Sequence, residues 1–152
     1  MRALLILLLS LGMTAASQGA EVSGRIVKVL PFLLDQQGQN AKSPSLFDRD
    51  AYQVHLRDHT NEVSGLRFDV QWKATKAPEE KLALLLQLRS LGTNNLPQIK
   101  TIEVVLPPER HHQWTEIPLT GPEYQSLGHL VAWRVTLWND EQELDGQSSF
   151  LW

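Results

Sequence analysis

Leu66-Arg67-Phe68-Asp69-Val70-Gln71-Trp72-Lys73 decides the fold class of this chain. Large apolar residues alternate without a break with charged and amide residues. Successive side chains of a strand point to opposite faces, so the octet is a strand with one face in a core and the other in water. A helix of 3.6-residue period would scatter Leu66, Phe68, Val70 and Trp72 around its axis.

The same period spreads outward from the octet. In residues 82–89, Leu82, Leu84, Leu86 and Leu88 alternate with Ala83, Leu85, Gln87 and Arg89. Leucine is a strong helix former and a helix competes here, but the alternation and the Gly92-Thr93-Asn94-Asn95 turn favour a strand. Residues 99–106, stopped by Pro107-Pro108, and 112–119, stopped by Thr120-Gly121-Pro122, are further β-rich runs. Residues 122–127 form a helical turn closed by Gly128. Residues 130–138 and 143–152 flank Asn139-Asp140-Glu141-Gln142 and read as a hairpin. Toward the N-terminus, residues 22–34 give the first strand, with Ile26, Lys28 and Leu30 on one side and Arg25, Val27 and Val29 on the other. Pro31 lacks an amide hydrogen and marks an edge, a bend or a switch between sheets.

One segment breaks the period. In residues 43–58, Phe47, Ala51 and Val54 share a helical stripe, with Tyr52 and Leu56 beside it. Ser45 followed three residues later by Asp48 is close to a capping box, and Pro44 suits a helix start. A helix near 45–58 with an apolar stripe has to lie against an open edge or end of the sheets. The sum is about seven strands joined mostly by short turns, the pattern of an all-β sandwich. The expected core is Leu66, Phe68, Val70, Trp72, Leu84, Leu86, Val104, Val131, Trp133 and Val135.

At Leu119-Thr120-Gly121-Pro122-Glu123-Tyr124, followed by Ala132-Trp133-Arg134-Val135-Thr136-Leu137, the chain resembles the end of a fibronectin type III or immunoglobulin-like domain. In that family a tyrosine ties the corner before a strand by a hydroxyl bond to backbone, a role that would fall to Tyr124. Here residues 125–129 stand between it and the strand. The likeness covers the C-terminal third and otherwise rests on strand count. It implies an immunoglobulin-like sandwich with one inserted helix, and a binding or accessory role rather than a reaction.

Met1 and Arg2 precede an apolar run over residues 3–11 and the small residues Thr14-Ala15-Ala16-Ser17, the layout of a secretory signal peptide occupying residues 1–20. The run is about half of a membrane span, so no transmembrane anchor is expected once it is removed. A single domain then covers residues 21–152. The chain contains no cysteine, which excludes disulfides, a lipid-bearing cysteine, a thiol nucleophile and Cys-based zinc sites. No Asn-x-Ser/Thr acceptor occurs after residue 20. A bacterial periplasmic or secreted protein fits this combination. The formal net charge of −3, without a basic stripe, makes nucleic acid an unsuitable partner.

The candidate chemistry is sparse. His55 and His59 lie one helical turn apart, and His55-Leu56-Arg57-Asp58-His59 is similar to the inverted zinc-peptidase pattern H-x-x-E-H, with Asp58 in place of glutamate. The competing reading is two histidines favouring the negative pole of a helix C-terminus. His111-His112 sits in a loop where neighbouring side chains diverge. Asp48 and Asp50 suit a helix first turn, and no serine carries a nucleophile elbow. No catalytic residue, metal site or cofactor is assigned.

Of five tryptophans, Trp72 and Trp133 lie on apolar strand faces and belong to the core. Trp138 shares its face with Arg134 and Thr136, and these three are the candidate binding residues. Leu130 and Ala132 on the same face raise the competing expectation that the inserted helix covers it. Phe150-Leu151-Trp152 resembles the C-terminal signal of outer-membrane barrels, but an odd strand count and Pro-broken edges argue against a barrel. The expected function is non-catalytic binding of another exported or envelope protein. Two alternatives are a carbohydrate-binding module using Trp138 or Trp114, and a metal-dependent hydrolase using His55 and His59.

Overall fold

Two antiparallel sheets face each other in the computed structural model, which describes residues 22–75, 81–107 and 112–152. Residues 1–20, where a signal peptide is expected, and His111 lie outside the described residues. In chain order the elements are β1 (Gly24–Asp35), α1 (Leu46–Asp58), β2 (Val63–Ala74), β3 (Leu82–Leu91), β4 (Pro97–Val105), β5 (His112–Thr120), α2 (Gly121–Leu127), β6 (His129–Asn139) and β7 (Gln142–Ser148). A short 3-10 turn over Thr60–Glu62 joins α1 to β2. The strands pair as β1-β2-β5 in one sheet and β4-β3-β6-β7 in the other, with β5 crossing back to the first sheet. This is an all-β immunoglobulin-like sandwich with a helix inserted after the first strand.

The octet that opens the sequence lies at the centre of the first sheet, in β2. Phe68, Val70 and Trp72 have no exposed surface, and the Trp72 indole N–H donates to Thr115 Oγ1 at 2.9 Å. They meet Leu84, Leu86 and Leu88 of β3 and Val135 and Leu137 of β6, all buried in one cluster. The leucine-rich run is therefore a strand: Leu84, Leu86 and Leu88, two residues apart, have no exposed surface while Leu85 and Gln87 between them are only partly buried, a pattern of period 2 that a helix could not produce. Trp133 completes the layer, standing edge-on to Phe68 with ring centroids 5.9 Å apart. Val104 is partly buried against the same cluster.

Val131, expected in the core, is instead 41 % exposed. Arg89 pairs with Ala132 and Ser90 with Leu130, so Val131 is the extra residue of a β-bulge and turns outward while Leu130 packs inward. A bulge also resets β1. Val27 is skipped between the Ile26 and Lys28 pairings, which breaks the expected grouping of Ile26 with Lys28 and Leu30 and brings Ile26 and Val29 to the same core.

α1 starts where expected, with the Ser45 hydroxyl accepting from the Asp48 amide. The face that it buries is different. Phe47 and Val54 of the expected stripe are 81 % and 52 % exposed, whereas Leu56 and Gln53 are buried against β1. Gln53 explains the choice. Its Oε1 accepts from the Leu33 amide at 2.8 Å, and its Nε2 donates to the carbonyls of Leu33 and Asn40, each at 2.9 Å. One amide side chain thus supplies the ladder partner that edge strand β1 lacks.

The loop between β1 and α1 is held by Asp35. Its buried carboxylate accepts from Lys42 Nζ at 2.7 Å, from the Tyr52 hydroxyl at 2.8 Å and from the amides of Gln37 and Gln39. Burial pushes the acid up, but Lys42, the two amides and Tyr52 outweigh it and hold the group down at about 2.

Beyond β5, α2 ends at Gly128 with φ of 66°, where a Cβ would collide with the Leu91 carbonyl oxygen; only glycine fits. Tyr124 lies within α2 and packs its ring against the core, and burial pushes its hydroxyl up. It therefore reaches the corner from a helix, not from the start of β6.

Candidate functional site

The two outer faces of the sandwich are built differently, and the difference locates the candidate site. On β2, the outward residues are Arg67, Asp69, Gln71 and Lys73. Arg67 pairs with Asp69 at 2.7 Å and with Glu116 of β5 at 3.5 Å. That is a solvated sheet face, with Arg67 held between two carboxylates, Lys73 exposed and Trp114 standing beside Gln71.

On the other sheet, the residues between the buried leucines of β3 are Ala83, Leu85, Gln87 and Arg89. Register places them beside Trp138, Thr136, Arg134 and Ala132 of β6 and beside Val105, Glu103, Thr101 and Ile99 of β4. This face keeps apolar surface in water: Ile99 is 61 % exposed and Val105 56 %. α1 packs on β1, in the other sheet, so the expectation that it covers Trp138 is overturned.

Trp138, Arg134 and Thr136 all lie on this face, but with unequal exposure and partners. The Trp138 indole N–H donates to Thr136 Oγ1 at 2.7 Å, and Thr136 is only 2 % exposed. Thr136 therefore positions the ring and is shielded from a ligand. Arg134 donates to Glu143 at 2.7 Å across the β6-β7 ladder. A Cβ at Gly146 would come within 3.2 Å of both Thr136 and the Glu143 carboxylate, so the missing side chain leaves room for this arrangement.

Two depressions flank the tryptophan face. One, of about 240 Å³, is lined by Ala83, Leu85, Glu103, Trp138 and Asp140. The other, of about 670 Å³, lies at the far end between Arg89, Leu91, Pro97, Ile99 and Val131. There the Arg89 guanidinium lies 4.2 Å from the Trp152 ring centroid. Sequence reasoning missed Leu85, Glu103, Asp140, Arg89 and Ile99. The period-2 pattern puts Leu85 and Arg89 opposite the core, which was the available signal; the register joining them to Trp138 exists only in the folded sheet.

The other candidates come apart. His55 Nε2 is 2.9 Å from Glu62 Oε2, His59 Nδ1 is 2.9 Å from the His55 carbonyl oxygen, and the two imidazoles stack with centroids 4.1 Å apart. The rings lie face to face, each with a nitrogen engaged, instead of converging on one point. Among the described residues no group of three or more His, Cys, Asp or Glu side chains could hold a metal ion. Asp48, in the first turn of α1, accepts from the Ser43 hydroxyl, and Asp50 further along the helix pairs with Arg49. Trp114, 44 % exposed, pairs with Gln71 and so stands on the opposite outer face from Trp138. Trp114 and Trp138 therefore form no common platform.

No family model matches the chain, and the comparison with curated proteins gives no match. Among solved structures, an immunoglobulin-like protein from Pseudomonas aeruginosa is similar at 17 % identity and a TM-score of 0.39, over 86 % of this chain and 97 % of that one. No described helix is long and apolar enough to cross a membrane.

Proposed function

We propose that this protein is an exported, non-catalytic binding domain whose outer β4-β3-β6-β7 face docks another exported or envelope protein. The reading rests on the apolar surface gathered on that face: Ile99, Val105 and Val131 are exposed and Trp138 and Leu85 half-buried, whereas the opposite face shows Trp114 among the charges of Arg67, Asp69, Lys73 and Glu116. Aromatic and aliphatic surface held on a rigid sheet is the usual material of a protein interface. The N-terminal apolar run supports export into a periplasmic or secreted setting.

The size of the face bounds the affinity. From Ala83 to Arg89 a strand covers about 20 Å, and four strands are about as wide, giving roughly 400 Å² before the rims are counted. Specific interfaces bury about 800 Å² per partner, so the complex sits at the small end and is expected to be micromolar and transient. Carbohydrate is the weaker reading, since Trp138 and Trp114 lie on opposite faces and the Trp138 N–H is already bonded.

The test uses the processed protein as immobilised bait on its native envelope fraction, in parallel with Leu85→Asp, Ile99→Asp and, on the opposite face, Gln71→Asp. A discrete partner held by wild type and Gln71→Asp but lost from both β3-β4 variants is the expected result. Equal retention by all four would refute the assignment of the face.

A further inference from the structure

We infer that the depression beside Trp138 receives a cationic side chain, arginine or lysine, presented by the partner; this rests on the face proposed above. Ala83 and Leu85 of the central strand β3 supply the aliphatic part of the lining, and the Trp138 indole borders it. The remaining polar groups of the lining are carboxylates, Glu103 from β4 and Asp140 from the β6-β7 turn.

Each part of this lining suits the same ligand. An aromatic face attracts a cation through the ring quadrupole, and two carboxylates repel an anion while accepting from an ammonium or guanidinium. The aliphatic part takes the methylene stem that lysine and arginine bury when their heads reach a polar group. A volume of about 240 Å³ fits one side chain and is too small for a folded element.

The molecule already makes each half of the contact. Lys81 Nζ lies 3.0 Å from Glu103 Oε1, both about half exposed, so a cation is at home on this carboxylate and the surface pair is weak enough to be displaced. Elsewhere Lys42, Arg49 and Arg89 each stand 4.2 to 5.0 Å from the centroid of an aromatic ring. Among the described residues no cation stands over the Trp138 ring. The Thr136 bond to its N–H keeps the indole from swinging off the sheet.

The probe is the tripeptide N-acetyl-Gly-Arg-Gly-amide, titrated into isotope-labelled protein at low salt while the Trp138 indole N–H and the Leu85, Glu103 and Asp140 amides are followed by NMR. The matching lysine peptide, a citrulline peptide and choline are run beside it. The expected result is a saturable shift confined to these signals, in the millimolar range, at least tenfold weaker for neutral citrulline. It is also at least tenfold weaker for the Glu103→Gln/Asp140→Asn double variant. Choline binding tighter than both basic peptides would overturn the side-chain source in favour of a free ammonium ligand. No saturable shift, or equal shifts by arginine and citrulline, would overturn the pocket altogether. The buried Trp72 indole signal reports whether each variant is folded. If Leu85→Asp still abolishes partner capture while the arginine peptide fails, the docking face stands and only its cationic anchor falls.

Discussion

Gln53→Ala is expected to cost about 3 kcal/mol, more than any exposed apolar residue of the same helix. The side chain is 4 % exposed and makes three hydrogen bonds, to the amide and carbonyl of Leu33 and to the carbonyl of Asn40. Each bond contributes roughly 0.5–1.5 kcal/mol net, and alanine leaves three backbone groups to find water beneath a docked helix. For a domain of this size that shift corresponds to a melting point lower by about 6–12 °C. Gln53→Glu separates hydrogen bonding from packing. Its carboxylate still accepts from the Leu33 amide but faces two carbonyls, so the folded state raises its pKa. The variant is therefore more stable near pH 5, where the acid takes up its proton, than at pH 7. Denaturant titration followed by tryptophan fluorescence gives the free energies, and hydrogen exchange at the Leu33 amide gives the local cause. Phe47→Ala, at a position 81 % exposed, is the control and should stay within about 0.5 kcal/mol. If Gln53→Ala also stays within that limit with the Leu33 amide still protected, α1 is docked by Leu56 and the strand-pairing argument is wrong.

Trp72→Ala should cost about 3–5 kcal/mol, because a fully buried ring and its bond to Thr115 are removed together, and the denaturant midpoint reads the loss. Asp35, held at about 2 against an ordinary 3.8, contributes stability that is complete above about pH 5 and is lost as pH falls through about 4 to 2. The full shift is worth about 2.5 kcal/mol, reduced to about 1–2 because its partner Lys42 is half exposed. Asp35→Asn should flatten that part of the pH–stability curve. Gly128→Ala should be severely destabilising, since the new Cβ would meet the Leu91 carbonyl, whereas Gly38→Ala, also at positive φ but in open space, should cost only about 1 kcal/mol by thermal melting.

The sandwich was readable because alternation at Leu66 to Lys73 and Leu82 to Arg89 is a strand signal that survives without tertiary knowledge, and the Gly128 stop is a local rule. The failures are all non-local. Val131 is turned out and Ile26 joins Val29 because bulges reset the period, and a bulge leaves no mark in an alternating run of small and apolar residues. α1 presents a glutamine inward and a phenylalanine outward because the strand edge needs hydrogen bonds more than the helix needs apolar cover, an ordering that a hydrophobic stripe cannot reveal. At the site, Trp138, Arg134 and Thr136 were found together because one strand holds them at period 2. Leu85, Glu103 and Asp140 come from β3, β4 and a turn, and only strand register brings them to the tryptophan.

The most direct measurement of the docking face is site-specific photo-crosslinking in exporting cells, with a benzoylphenylalanine placed at Leu85 or Thr101 on the outer β3-β4 surface and at Gln71 on the opposite sheet. One discrete adduct of the processed chain is expected from positions 85 and 101, lost when Trp138→Ala is added and absent from position 71. Adducts from position 71 that persist in Trp138→Ala, with none from 85 or 101, would contradict the proposed docking face.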